Sequence, residues 1–136
     1  METNNSCNGT VRPPVLIVDD DPTNLFVLGE FVRAAGFTTV TATNGAEAVD
    51  ASRQHQPALI LMDLSMPVMD GFEATRRILS ASPEEWRPVV LAVSANVTPE
   101  WRASCFEAGM EDFVEKPVDF DRLVEQLKAL YSRLGF

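Results

Sequence analysis

Apolar residues fall in short continuous runs at Val15-Leu16-Ile17-Val18, Ala58-Leu59-Ile60-Leu61-Met62 and Val89-Val90-Leu91-Ala92-Val93. Runs of this length, apolar at every position rather than every second one, predict strands buried on both faces. Thr38-Thr39-Val40-Thr41-Ala42 and the shorter Asp112-Phe113-Val114-Glu115 alternate instead, which predicts half-exposed strands at the two edges of a sheet. Between the runs, apolar residues recur at helical spacing. Leu25, Leu28, Phe31, Val32 and Ala35 form one stripe, opened by Asp21-Pro22 as N-cap and first helical residue and closed by Gly36. Asn44 with Glu47 has the form of a capping box for a second helix ending near His55, and Phe72 to Leu79 is the centre of a third. Thr98-Pro99 opens a fourth that stops at Gly109, and Asp119 caps a fifth striped by Leu123, Leu127, Leu130 and Leu134. Strands alternating with helices in this way predict an α/β fold, a doubly wound parallel sheet with right-handed crossovers and helices on both faces.

Composition narrows the function without naming it. The 136 residues fit one domain, and 46% hydrophobic content suffices for a core. The division expected is a disordered tail over residues 1–12, rich in Asn, Thr and Ser, and one domain over 13–136. That tail has neither the basic start nor the apolar stretch of a secretory signal, and Met1 reads as a natural start. No apolar segment reaches the length of about 18 residues that a bilayer span requires. A net charge of −9 has the wrong sign for gripping nucleic-acid phosphates, so no direct nucleic-acid partner is expected. Cys7 and Cys105 lack metal-ligand spacing and the chain has a single His, which excludes a zinc site or a disulfide scaffold and points to reduced thiols in the cytoplasm.

The chemistry sits at the strand ends. Asp19-Asp20 follow the first run, Asp63 the second buried one, Ser94 the third and Lys116 the last. In a parallel sheet the carboxyl ends share one edge, so these residues converge on one crevice. An Asp pair alone is more often a solvated turn and helix cap. Adding Asp63 changes the balance, because crowded carboxylates repel and raise each other's pKa unless a cation is present. Mg2+ suits such a pocket, taking oxygen ligands and one or two protein carboxylates. Ser94 and Lys116 taken singly read as a turn residue and a solvated charge, and only their placement argues for contact with a phosphate; Pro117 holds Lys116 extended in a fixed turn.

Four segments together resemble the receiver domain of two-component response regulators: Val18-Asp19-Asp20-Asp21-Pro22-Thr23-Asn24, Leu61 to Gly71 with Asp63 and Met66-Pro67, Val93-Ser94-Ala95-Asn96, and Gly109 to Pro117 with Lys116-Pro117. Each is weak alone; four in this order and spacing, over about Pro14 to Leu130, are specific. The second segment is similar to those of receivers that work with hybrid histidine kinases. The resemblance implies the flavodoxin-like receiver fold, five strands in the order 2-1-3-4-5 with five helices. It implies that Asp63 accepts a phosphoryl group from a histidine kinase or histidine phosphotransfer protein. It also implies that Asp19, Asp20, Asp63 and the backbone carbonyl of Ser65 hold Mg2+, that Ser94 and Lys116 contact the phosphoryl group, and that Phe113 is the aromatic switch. The switched surface, which meets a downstream protein, would be the fourth helix, fifth strand and fifth helix, Thr98 to Leu134. Trp101, Phe106 and Phe120 are candidate contacts there, against the plainer reading that they are core. On this reading the protein is a signalling receiver, not an enzyme beyond its own phosphotransfer and autodephosphorylation, and either stands alone or belongs to a larger protein.

Two features fall outside the pattern. Pro83 to Pro88 makes a long, proline-bounded lead into the fourth strand, where Trp86 shields the strand edge or touches a partner, and His55 reads as a surface residue. Rival readings fare worse on the residues themselves. A phosphatase of the haloacid dehalogenase type needs a second Asp two positions after the nucleophile, where this chain has Ser65, and a flavodoxin-like carrier needs a hydroxyl-rich loop where this chain has Asp19-Asp20-Asp21-Pro22. A receiver-like interaction module that is never phosphorylated remains the alternative.

Overall fold

The computed structural model describes residues 12–64, 71–82, 86–95 and 98–136. Strand and helix alternate throughout: β1 (Val15–Val18), α1 (Pro22–Ala34), β2 (Thr39–Ala42), α2 (Gly45–His55), β3 (Leu59–Asp63), α3 (Gly71–Ala81), β4 (Val89–Ser94), α4 (Pro99–Ala108), β5 (Asp112–Glu115) and α5 (Phe120–Arg133). The strands form one parallel sheet in the order β2-β1-β3-β4-β5. The three continuous apolar runs are its central strands and the two alternating ones its edges, as their patterns require.

Every residue of β1, β3 and β4 is buried, and alternate residues serve opposite faces. Val15, Ile17, Leu59, Leu61, Val89 and Leu91 pack against Leu25, Leu28 and Val32 of α1 and Leu123, Leu127 and Tyr131 of α5. Leu16, Val18, Ile60, Met62, Val90 and Ala92 face α2, α3 and α4 through Ala48, Ala74, Ile78 and Cys105. Cys105 is therefore a core residue, its thiol pKa raised by burial.

The helices follow the sequence with three adjustments, one at a cap and two on their buried faces. Asp21, Thr98 and Asp119 accept from backbone N–H groups of the turns they cap, and Gly109 ends α4 at a φ of 105°, a left-handed conformation that a side chain resists. Asn44 accepts from the Glu47 amide at 2.8 Å, but Glu47 reaches back to the amide and hydroxyl of Thr43 rather than to Asn44, so the box closes one residue early. On α5 the buried stripe is Leu123, Leu127 and Tyr131, because steps of four hold one line along the helix while Leu130 and Leu134 fall to its flank. On α1, Phe31 lies outside the buried stripe, 44% exposed, and stacks at 3.9 Å on Phe120 of α5.

Two residues outside the strands and helices brace the fold. Arg12, which the sequence assigns to the tail, donates to the Gly36 carbonyl at 2.6 Å and lays its guanidinium 4.6 Å from the Phe37 ring centre. Trp86 is half-buried and donates its indole N–H to the Pro57 carbonyl at 2.8 Å, where the chain enters β3. Residues 1–11 of the expected tail and Pro83 to Glu85 of the lead into β4 lie outside the described residues.

Where α3 starts, packing leaves no room for a side chain. A Cβ on Gly71 would stand 2.6 Å from Leu64 Cδ2 and 2.9 Å from the backbone oxygen of Asp63. Gly71→Ala is expected to cost about 1–3 kcal/mol of stability in urea unfolding; an unchanged midpoint would show that α3 can withdraw from the end of β3.

Candidate functional site

Register sets which side chains meet. Val18 pairs with Met62, Asp63 with Val93 and Ser94 with Glu115, so the strand ends are level and the residues just beyond them adjoin. After β1 the chain builds β2 on one side, and the next strand, β3, lies on the other. The gap between β1 and β3 is therefore a topological switch point, where open α/β sheets place their ligands. Asp19 and Asp63 flank that gap.

Both are withdrawn from solvent, Asp19 to 1% exposure and Asp63 to 2%, while Asp20 is exposed beside them. One carboxylate oxygen from each of Asp19, Asp20 and Asp63 lies within 4.8 Å of the others. Burial pushes the Asp19 carboxyl up to about 6, and the Asp63 charge adds to the rise; the Asp21 amide and the Lys116 ammonium oppose it. The Asp21 N–H donates to Asp19 Oδ1 at 2.9 Å. Asp19 Oδ2 is buried and has no hydrogen-bond partner among the described residues. A buried anionic oxygen without a donor is costly, and one in a cluster of hard oxygen donors fits a divalent cation such as Mg2+.

Lys116 supplies the opposing charge. Its Nζ lies 3.4 Å from Asp63 Oδ1, and its backbone amide donates to the Ser94 carbonyl at 3.0 Å, which ties the end of β5 to β4. Its peptide bond to Pro117 is cis. Ser94, 4% exposed, ends β4 one place beyond the pairing of Val93 with Asp63. The structure thus brings together Asp19, Asp20, Asp63, Ser94 and Lys116. Ser65, expected to offer its carbonyl, and Asn96 lie outside the described residues.

Phe113 occupies a neighbouring position. Its half-buried ring meets Phe106 edge-on at 5.8 Å, with the Arg102 guanidinium 5.0 Å from its centre, and its carbonyl accepts from the Gln126 amide. Phe106 is 53% exposed, Phe120 is occupied by Phe31, and His55 is exposed at the end of α2, by the opposite edge of the sheet.

One site residue escaped the sequence reading. Trp101 reads from the sequence only as a partner contact or a core residue; it packs partly buried against the core, and its indole N–H donates to Ser94 Oγ at 3.2 Å. Its only sequence signal is position, the third residue after the Thr98 cap, which leaves the direction of the side chain open.

Comparison with known proteins agrees with this geometry. The transcriptional regulatory protein PrrA of Mycobacterium bovis is 35% identical over 127 residues, 93% of this chain; the chain spans 53% of that relative's length. The polar-differentiation response regulator DivK of Brucella anthropi is 33% identical over 116 residues, 85% of this chain and 93% of its own. Among solved structures, the receiver domain of the sensor histidine kinase PA1611 from Pseudomonas aeruginosa superposes with a TM-score of 0.80 at 30% identity, covering 89% of this chain and 98% of that one; it was crystallised with a magnesium ion coordinated in its active-site cleft. The family model for the response regulator receiver domain matches residues 15–128, from the first residue of β1 into α5, and the chain belongs to that family.

Proposed function

We propose that Asp63 accepts a phosphoryl group from the phosphohistidine of a histidine kinase or histidine phosphotransfer protein, and that the acyl phosphate switches the surface made by α4, β5 and α5. The observation that carries this reading is the pairing of a buried Asp63 with Lys116 at 3.4 Å inside a cluster of three carboxylates. A structural ion pair needs one carboxylate; three in one crevice suit a site that takes a cation and a phosphate.

The residues divide the work. An oxygen of the Asp63 carboxylate forms the new bond to phosphorus as the bond from phosphorus to the donor imidazole nitrogen breaks, and the imidazole keeps that electron pair. Such a transfer needs in-line placement and neutralisation of the equatorial oxygens more than covalent help. Asp19, Asp20, Asp63 and the Ser65 carbonyl would hold Mg2+, which supplies positive charge to those oxygens when bound. Lys116 moves its ammonium from the Asp63 carboxylate to the phosphoryl oxygens, and Ser94 donates its hydroxyl to one of them. An open cavity of about 300 Å³, lined by Asp19, Asn24, Lys116, Pro117 and Phe120, gives a donor side chain an approach with a polar and an apolar wall.

Lys116 also lines a second cavity of about 310 Å³ with Arg102, Phe113, Arg122 and Gln126, on the surface proposed to switch. A phosphoryl group adds about −1.5 to −2 charge and three acceptor oxygens, so it redirects Lys116 and Ser94 together and changes that groove from within. Phe113 has no hydroxyl, so any rotation of its ring is driven by its packing with Phe106 and Arg102. No segment among the described residues forms a helix long and apolar enough to cross a membrane.

Two expectations follow from this site. Incubation with acetyl phosphate and Mg2+ adds one phosphoryl group by intact mass, and Asp63→Asn or chelation abolishes the gain; a gain that survives Asp63→Asn would overturn the assignment, and no gain in the wild type would favour an interaction module. The second concerns Asp19 in metal-free protein. Its carboxyl titrates near 6 when folded against an ordinary 3.8, so the folded state holds its proton more tightly and stability falls as pH rises from about 4 to 6. Asp19→Asn removes that loss while keeping an acceptor for the Asp21 amide. At pH 7 with chelator the variant is expected to be more stable by on the order of 1–3 kcal/mol, and at pH 3.5 to gain little. Urea unfolding at both values checks this; equal stability at pH 7 would mean that Lys116 and the Asp21 amide already offset the buried charge.

A further inference from the structure

Trp101 is the residue at this site that the reading above leaves without work. We propose that it is a positioning residue for phosphoryl transfer: its indole N–H fixes the Ser94 hydroxyl so that the hydroxyl proton is presented to the phosphoryl group on Asp63. The proposal rests on Asp63 being the phosphoacceptor.

The direction of the contact is set by the groups themselves. An indole N–H only donates, whereas a serine hydroxyl has one proton to give and two lone pairs to receive with. The 3.2 Å bond between Trp101 Nε1 and Ser94 Oγ therefore uses a lone pair of Ser94 and leaves its proton for another acceptor. A hydroxyl that accepts a hydrogen bond is polarised and becomes a better donor. Ser94 ends β4 one place beyond the pairing of Val93 with Asp63, so a phosphoryl group on Asp63 is a new acceptor beside that hydroxyl.

The indole is held from two directions, which makes it a fixed reference rather than a chance neighbour. Trp101 is in the first turn of α4, where its backbone amide is engaged by the Thr98 hydroxyl at 3.3 Å. Its ring meets Phe72, in the first turn of α3, edge-on at 5.2 Å. The following residue, Arg102, lies over Phe113. A Ser94 that shifts toward a phosphoryl oxygen consequently moves against an anchor on α4, one residue from the guanidinium that covers Phe113. The start of α4 thus senses the site through a hydrogen bond.

The test compares rates of phosphoryl gain from acetyl phosphate with Mg2+, read by intact mass, for wild type, Trp101→Phe, Ser94→Ala and the double variant. Phe keeps the edge contact with Phe72 and lacks the N–H. Trp101→Phe is expected to slow phosphorylation about three- to tenfold, the range of one neutral hydrogen bond, and to have no further effect once Ser94 is Ala. Wild-type speed in Trp101→Phe, or a slowing that persists undiminished in the Ser94→Ala background, would overturn the proposal and leave Trp101 a packing residue. A wild type that gains no phosphoryl group would instead remove the reading on which the proposal rests. A second readout does not depend on how well Trp101→Phe folds. The chain has two tryptophans, and Trp86→Phe leaves Trp101 as the sole indole emitter. Its emission is expected to shift on phosphorylation and to stay constant in the Ser94→Ala background; constant emission with Ser94 present would contradict the proposal.

Discussion

Two carboxylates buried side by side, Asp19 and Asp63, are the constraint around which the rest of this structure is arranged. Each is expensive in a low-dielectric setting, and their proximity raises the cost. The chain tolerates them by placing them at the point of the sheet where the strand order reverses. It answers part of the charge with the Asp21 amide and Lys116. What remains is an anionic pocket in which one Asp19 oxygen has no hydrogen-bond partner among the described residues, a local penalty that a bound cation would relieve.

Everything beneath the pocket holds that arrangement level. The fully buried strands fix the register, and the two hydrophobic clusters on opposite faces keep the strands from sliding, since a slip of one residue would turn each inward side chain to the other cluster. Gly71 lets α3 start against the backbone of Asp63. Above the sheet, Lys116 is partly exposed and lines two cavities, a hydrogen bond joins Trp101 to Ser94, and the Arg102 guanidinium lies over Phe113. A stiff base under polar and ring contacts is what the proposed two-state surface would require.

The sheet, its edges and the helices were legible because periodicity reports burial directly: continuous apolar runs for β1, β3 and β4, alternation for β2 and β5, and cap residues such as Asp21, Thr98 and Asp119 at the helix starts. The convergence of Asp19, Asp63, Ser94 and Lys116 followed from parallel topology and level strand ends, which need no side-chain detail. Side-chain direction was harder. Tyr131 joined Leu123 and Leu127 in the buried α5 stripe while Leu130 packs at its margin and Leu134 is exposed, since a run of apolar residues on a helix does not say which line faces the sheet. The Glu47 carboxylate accepted from Thr43 rather than from the Asn44 amide, because two donors one residue apart compete for it. Trp86 and Trp101 each donate to a specific acceptor, Pro57 twenty-nine residues away and Ser94 seven residues away, a choice that only the folded geometry makes.

The central claim is that the acidic cluster exists to bind a cation as one unit, and calorimetric titration with Mg2+ tests it most directly. The account predicts saturable binding to one site per chain in the wild type, lost when Asp63 is changed to Asn and severely weakened when Asp20 is. No binding in the wild type, or binding indifferent to both substitutions, would contradict it and return the three carboxylates to the status of a costly turn.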